Sequence, residues 1–224
     1  MNRRQLLIGL VVLAVIAIGV IGYMVFSTPV DEGPTLTSGA PTFPVTITAA
    51  DRTLGNPKAP ITMVEYAAPT CPHCAHFNGT MFPFIKRNYI DTGKVYYVFR
   101  VFPLSQVDIA AESMARCLPA SNYFQFIDLL FRNQPKWDPD GYQIPDVHAA
   151  LVDMGRIAGL SPEQVDKCIN DEGAQKRATD VGLYANKTYG ITGTPTFLVN
   201  GQIAPPFATP DDVKKYLDAV LAKK

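Results

Sequence analysis

Two cysteines stand three positions apart in the segment Cys71-Pro72-His73-Cys74, directly after the apolar run 61–68. If Cys71 begins a helix, the two side chains lie on the same face, and their sulfur atoms can close a small disulfide. The positive end of the helix dipole also stabilises a thiolate at the first position. Because a thiolate of low pKa is a good leaving group in thiol–disulfide exchange, the segment predicts redox chemistry centred on Cys71.

The positions within this segment predict a different role for each residue. Cys71 is expected to be exposed at the helix start, where it attacks disulfides and is itself attacked. Cys74 lies one turn further along and is expected to be a shielded, resolving thiol. Pro72 and His73 lie between them, and a cationic or hydrogen-bonding His73 would stabilise the Cys71 thiolate. That stabilisation favours the reduced protein and makes the oxidised form a stronger oxidant.

Metal binding is the alternative reading of the same residues. The cluster offers four potential zinc ligands: Cys71, His73, Cys74 and His76. A structural zinc site needs four converging groups, usually supplied as two separated pairs. Outside the cluster, Cys117, Cys168 and His148 are isolated from one another in the sequence. The sequence therefore favours redox chemistry and predicts no metal.

Glu65 is an acidic residue within an otherwise apolar predicted strand, six positions before Cys71. Strand residues alternate between faces, so its carboxyl group can lie under the helix that carries Cys74. A buried carboxyl group has a raised pKa and can transfer a proton. The alternative is a glutamate on a solvated strand face, or one paired with a lysine such as Lys58.

The two remaining cysteines, Cys117 and Cys168, both fall in predicted helices. An exported protein more often pairs two such cysteines than leaves them free, so we expect a second, structural disulfide. In the chain-entropy description, closing a loop of this size contributes roughly 4 kcal/mol. Two buried free thiols are the alternative.

The beginning of the chain has the pattern of a signal-anchor. Arg3 and Arg4 precede an uncharged apolar stretch, which at helical rise is about 31 Å long and sufficient for a bilayer core. We expect residues 1–4 to be cytoplasmic, 5–26 to form a transmembrane signal-anchor and 27–43 to be a flexible tether. The folded part would then lie in the periplasm of a bacterium, single-pass in the inner membrane. A cleaved signal peptide, leaving a soluble periplasmic protein, is the alternative.

Charge and length restrict the remaining classes of function. Without Arg3 and Arg4, the chain carries 18 basic and 20 acidic side chains. This balance gives no electrostatic reason to bind nucleic acid. The part that follows the tether has the size of one folded domain.

Local patterns predict a mixed α/β chain. Four segments are typical of strands: 44–48, 61–68, 95–102 and 196–199. A helix is expected from Cys71, with a break at Pro83. Residues 106–188 contain helical patterns and no clear strand, and a last helix is expected from about residue 210.

This combination resembles the DsbA-type thiol–disulfide oxidoreductases, and in particular their membrane-anchored members. The resemblance covers about residues 44–224 and depends on the CPHC segment after a strand, a long helical insertion, and the segment Gly193-Thr-Pro-Thr-Phe197 before a late strand. It implies an α/β, thioredoxin-like fold with an inserted helical domain, preceded by one N-terminal transmembrane helix. The thioredoxin-like part would comprise 44–105 and 189–224, and the insertion 106–188.

The resemblance also implies roles for residues outside the CPHC segment. Glu65 occupies the position of a buried acid beneath the active site. The Thr194–Pro195 peptide bond would be cis, and the backbone of Thr194 would be left free to pair with an extended substrate.

The implied function is an enzyme that donates its disulfide to unfolded or reduced exported proteins. A membrane-embedded, quinone-linked protein of the DsbB type would reoxidise it, and no cofactor is implied. The tether is too short and polar for the oligomerisation region of dimeric isomerases, which favours a monomer. A disulfide isomerase or reductase on the same scaffold, and a non-catalytic binding or holdase module, remain alternatives.

Overall fold

The structure is a computed structural model that describes residues 41–223. The predicted cytoplasmic N-terminus at 1–4, the predicted anchor at 5–26 and most of the predicted tether at 27–43 lie outside these residues. Within the described part, no helix combines the length and the apolar character needed to cross a bilayer.

A five-stranded mixed sheet forms the centre of the fold, in the order β1-β3-β2-β4-β5. The strands are β1 Arg52–Leu54, β2 Ile61–Ala67, β3 Val95–Val101, β4 Thr196–Val199 and β5 Gln202–Ile203. The central strands β2 and β3 are parallel, whereas β4 runs antiparallel to β2. Because β2 and β3 are covered on both faces, they are mostly apolar in the sequence, as predicted; Glu65 and Arg100 are their charged residues.

The predicted edge strand was misplaced. The strand that pairs antiparallel with β3 is Arg52–Leu54, and residues 44–48 form no strand. The alternation in that segment has a different cause, because Phe43, Val45 and Ile47 are half-buried against one face of the sheet. Packing of one side of an extended segment produces the same period of two as a strand ladder.

The helix after β2 begins where the sequence predicts. Helix α1 spans Pro72–Thr80 with Cys71 as its N-cap, and the proline occupies the favoured first position. The predicted break is confirmed: α2, Phe82–Ile85, is a separate turn that holds Pro83 at its start. A π-helical turn, Lys86–Ile90, then leads to β3.

The helices that follow β3 are α3 Gln106–Cys117, α4 Tyr123–Arg132, α5 Gln134–Trp137, α6 Val147–Ile157, α7 Pro162–Ile169 and α8 Glu172–Tyr189. The last helix is α9, Pro210–Leu221. Ser161 and Gln164 cap the start of α7 reciprocally. A disulfide joins Cys117 at the end of α3 to Cys168 in α7.

The two faces of the sheet are covered by different helices. Met63 and Ala67 of β2 belong to the large core that also contains Cys74 and most buried side chains of the helical block. Val64 and Tyr66 face the other way, into a smaller core with Tyr189 of α8. Helix α8 thus covers the second face of the sheet. The predicted division at residues 188 and 189 therefore does not coincide with a break in packing.

Candidate active site

Cys71 lies at the junction of β2 and α1. A short turn after β2 leads to Cys71, whose N–H donates to the Ala68 carbonyl oxygen at 3.0 Å. Its backbone is extended, and its carbonyl oxygen accepts the helical hydrogen bond from the Ala75 N–H at 3.1 Å. Proline at the next position has no N–H to satisfy, which suits the first turn of a helix. The sequence therefore places the sulfur at the helix N-terminus through local preferences alone.

The expectation of an exposed Cys71 was wrong. The residue is 4% exposed, whereas Pro72, His73 and Gly193 around it are exposed. The cover comes from the loop before β4, where the carbonyl oxygen of Thr194 lies 3.4 Å from the Cys71 sulfur. A substrate that reaches the sulfur must therefore approach it beside this loop.

The pKa of the Cys71 thiol is lowered from 9.0 to about 5. The largest cause is a hydrogen bond from the Cys74 thiol, which outweighs the opposing effect of burial. The Thr194 side chain and the backbone N–H groups of Cys74 and His73 lower the pKa further. These backbone N–H groups, at the start of α1, are the source of the thiolate stabilisation that the sequence predicts for a helix N-terminus. His73 thus acts on the sulfur through its backbone, while its exposed imidazole makes no hydrogen bond to a residue in 41–223.

Cys74 has the opposite electrostatic environment. It is 0% exposed, and burial raises the pKa of its thiol well above the ordinary value. The hydrogen bond to Cys71 and the charges of Cys71 and Glu65 raise it further. Near neutral pH, the proton shared by the two cysteines therefore stays on Cys74, and Cys71 is the thiolate.

Glu65 lies beneath the two cysteines on the sheet face that carries the large core. It is 2% exposed, and it accepts a hydrogen bond from the hydroxyl group of Tyr97 on β3. Burial raises the pKa of its carboxyl group to about 8; the Tyr97 bond lowers it in part, and the charge on Cys71 raises it. The alternative of a solvated glutamate, or one paired with the exposed Lys58, does not describe its position.

Tyr97 is a member of this site that sequence reasoning missed. It is fully buried, and burial and the Glu65 charge hold the pKa of its hydroxyl group well above the ordinary value, so it remains a donor. In the sequence it is one of two adjacent tyrosines, Tyr96 and Tyr97. Only the parallel pairing of β2 with β3 distinguishes the one that faces Glu65.

Gln134 was also missed, although it holds the active-site loop. Its side chain is 3% exposed, and its amide nitrogen donates to the carbonyl oxygens of Pro69 at 2.8 Å and Cys71 at 3.1 Å. Asp108 of α3 supports the same loop, since its carboxylate accepts from the Thr70 N–H at 2.8 Å. The helical block thus fixes the backbone on which the Cys71 sulfur is carried.

Replacement of Gln134 by leucine tests this support. The change keeps the side-chain volume but removes the donor to the Pro69 carbonyl group and one of the two donors to the Cys71 carbonyl group. We expect a loss of about 2 kcal/mol in the free energy of unfolding. Urea denaturation of the reduced protein measures it. The matched control is Gln125→Leu on the exposed face of α4, which should change stability by less than about 0.5 kcal/mol. Equal losses in the two variants would contradict the assignment.

The Thr194–Pro195 peptide bond is cis, and it directly precedes β4. Thr194 brings its carbonyl group to the Cys71 sulfur, while its backbone N–H donates to no residue in the range 41–223. A free N–H beside the reactive sulfur is a group with which an extended peptide can pair.

The described residues offer no group of side chains that could bind a metal ion. Within 41–223, no set of three or more histidine, cysteine or acidic side chains is arranged to hold a metal ion. His76 is exposed on α1, and Cys117 and Cys168 are used by their disulfide.

Comparisons with known proteins agree with this geometry. Residues 48–219 match the family model described as Thioredoxin. A candidate protein-disulfide oxidoreductase from Rickettsia bellii is 38% identical over 163 residues, which are 71% of this chain but only 61% of that relative. The match thus spans less than two thirds of its length.

Two solved structures show the same fold. The crystal structure of Wolbachia pipientis alpha-DsbA1 matches with a TM-score of 0.72 and 30% identity, covering 79% of this chain and 94% of that one. Oxidised BdbD from Bacillus subtilis matches with a TM-score of 0.68 and 23% identity, over 82% and 97% of the two chains. The α/β sheet with its helical insertion is therefore a thioredoxin-like fold, and the chain belongs to the DsbA-type group of the thioredoxin family.

Proposed function

We propose that this protein is a thiol–disulfide oxidoreductase that donates the Cys71–Cys74 disulfide to other proteins. The observation that carries the proposal is that the pKa values of two neighbouring thiols are shifted in opposite directions. The pKa of Cys71 is lowered to about 5, and that of Cys74 is raised. Such a pair has one sulfur that leaves easily and one that holds its proton.

The reaction begins with attack of a substrate thiolate on the Cys71 sulfur of the oxidised protein. The Cys71–Cys74 bond breaks, a mixed disulfide forms, and Cys74 leaves as a thiolate that takes up a proton. A second substrate thiolate then attacks the substrate sulfur of the mixed disulfide and releases the Cys71 thiolate. The substrate dithiol has been oxidised to a disulfide, and the protein disulfide has been reduced to the Cys71 thiolate and the Cys74 thiol.

Glu65 is proposed as the proton donor for Cys74 in the first step. Its carboxyl group is buried close enough for its charge to act on Cys74, and its pKa of about 8 keeps it protonated near neutral pH. Tyr97 fixes the carboxyl group through its hydrogen bond. In the reverse direction the ionised carboxylate receives the Cys74 proton.

The direction of transfer follows from the leaving group. Release of Cys71 as a stabilised thiolate favours the second step, so the oxidised protein is expected to be a strong oxidant. Thr194 and the cis Pro195 would align an extended substrate beside the sulfur. Pro72 and the backbone of His73 would keep the thiolate at the helix start.

The cellular role is proposed from the DsbA-type family membership and from the N-terminal sequence. The substrates would be unfolded or reduced exported proteins, and a DsbB-type quinone-linked membrane protein would restore the disulfide. We place the protein in the bacterial inner membrane, single-pass, with the catalytic part in the periplasm as a monomer. Residues 5–26 would anchor it, unless the signal is cleaved and leaves a soluble periplasmic protein.

A single-turnover experiment tests the proposal. The oxidised full-length chain is mixed with a reduced peptide that contains two cysteines, and peptide disulfide is quantified by mass spectrometry. We expect one peptide disulfide for each protein molecule. Failure to oxidise the peptide would contradict the proposal.

Equilibration with glutathione then fixes the direction. A reduction potential near about −120 mV agrees with disulfide donation, whereas a value near about −270 mV would assign the protein to reduction instead.

A further inference from the structure

A cavity lies on the face of the sheet opposite to Cys71. It has a volume of about 470 Å³ and is formed by α8, α3, β3 and residues 46–51. Tyr66 lines it, whereas its neighbour Glu65 on β2 faces the cysteines. Since adjacent strand residues point to opposite faces, the sheet separates this cavity from the redox site. Its volume lies within the range of small-molecule sites.

The charges that line the cavity do not balance. Its three acids are each held by a cation, in the pairs Arg100–Asp51 at 2.7 Å, Arg116–Glu112 at 2.5 Å and Lys176–Asp180 at 2.5 Å. Arg177 is a fourth cation on the same lining, and it forms no ion pair with a residue in 41–223. The cavity therefore carries one positive charge in excess.

Arg177 is held in an unfavourable environment for a cation. Its Nε atom is buried and makes no hydrogen bond within the described part of the chain. Burial lowers the pKa of its guanidinium group, and the charge of Arg116 lowers it further; the attraction of Glu112 and Asp171 offsets this only in part. A guanidinium group with free donors binds a carboxylate through paired hydrogen bonds.

Apart from Thr46 and Thr48, the rest of the lining is apolar or aromatic. Tyr66, Tyr184 and Tyr189 contribute rings, and the rings of Tyr184 and Tyr189 meet edge to face at 5.7 Å. Ala178 and Val181 of α8 add aliphatic surface next to Arg177. A ligand here would place a charged group on the guanidinium and an uncharged body against the rings.

We propose that this cavity binds a small organic monoanion, a carboxylate carried on an aromatic or branched apolar body. The single excess charge selects a monoanion, and Arg177 receives the carboxylate. The tyrosine rings and the aliphatic side chains of α8 contact the body.

Calorimetric titration of the full-length chain with phenylacetate tests the site, with the uncharged phenylacetamide as the matched ligand. Since a charge-assisted hydrogen bond is worth about 1.5 to 3 kcal/mol, we expect phenylacetate to bind at least about tenfold more tightly than the amide. Arg177→Gln should weaken phenylacetate binding by at least about tenfold. The control Lys187→Gln, which removes an exposed charge of α8 outside the cavity lining, should change it by less than about twofold.

Thermal denaturation of the unliganded variants separates binding from folding. Because Arg177 has no ion-pair partner among residues 41–223 and lies near the charge of Arg116, Arg177→Gln should leave the midpoint unchanged or raise it. Equal affinities for phenylacetate and phenylacetamide, undiminished binding to Arg177→Gln, or no binding of phenylacetate would each overturn the inference. Cys71→Ser should bind phenylacetate like the parent, so the result is independent of the proposed redox function.

Discussion

Serine in place of Cys71 lowers the rate of thiol–disulfide exchange by roughly 1000-fold or more, because the variant has lost its only thiolate near neutral pH. No other cysteine can replace it. Cys74 is completely buried with a raised pKa, and Cys117 and Cys168 are joined to each other. The measurement is the rate at which the variant and the parent catalyse reduction of a mixed-disulfide peptide by glutathione.

The control for this prediction removes the other pair of cysteines. A Cys117→Ala, Cys168→Ala protein that remains folded by circular dichroism should exchange at a rate within about threefold of the parent, because that disulfide joins α3 to α7 and includes neither Cys71 nor Cys74. Exchange by Cys71→Ser within tenfold of the parent would show that another group is the nucleophile.

Glutamine in place of Glu65 changes how the stability of the reduced protein depends on pH. The folded-state pKa of Glu65 is about 8, above the ordinary value of 4.5. The stability that its proton provides is complete below pH 4.5 and is lost as the pH rises towards 8. The parent should therefore lose about 3 kcal/mol relative to Glu65→Gln between pH 4.5 and 7.

Urea denaturation of the two reduced proteins across this pH range measures the difference. Cys71 titrates in both, with a lowered pKa that acts in the opposite direction, so the comparison largely removes its contribution. The free energy of unfolding of Glu65→Gln should also differ from that of the parent by a constant amount at every pH. The reason is that the buried glutamine amide group makes fewer hydrogen bonds than it can. The informative quantity is the change in the difference with pH.

Glu172→Gln is the control, because Glu172 is exposed in the first turn of α8. Its stability should follow that of the parent at every pH. A pH-independent difference between the parent and Glu65→Gln would show that Glu65 is already ionised. Glu65→Gln should also lose the change in exchange rate that the parent shows near pH 8, because Glu65 is the proposed proton donor in the step that protonates Cys74.

The parts of this structure that sequence patterns predict are those determined by near neighbours in the chain. The apolar run of β2, the proline after Cys71 and the break at Pro83 are local features, and each specifies its element directly. The same local logic places Cys71 at a helix start and Cys74 inside it.

The parts that the sequence does not predict depend on long-range contacts. Cys71 is covered by Thr194, which is 123 positions away, and its backbone is held by Gln134, 63 positions away. No local pattern contains those contacts, so the expectation of an exposed sulfur was wrong. Helix α8 is rich in polar and small residues, which weakens its apolar periodicity and hides its role in covering the sheet.

Titration of the ultraviolet absorbance of the Cys71 thiolate in the reduced protein, with the oxidised protein as the blank, tests the central claim most directly. The account predicts one thiolate that forms with a pKa of about 5. It also predicts that Cys74→Ala raises this pKa, since the Cys74 thiol is the main donor to the sulfur. Formation of the thiolate only near pH 9, the ordinary pKa of a cysteine, would contradict the account.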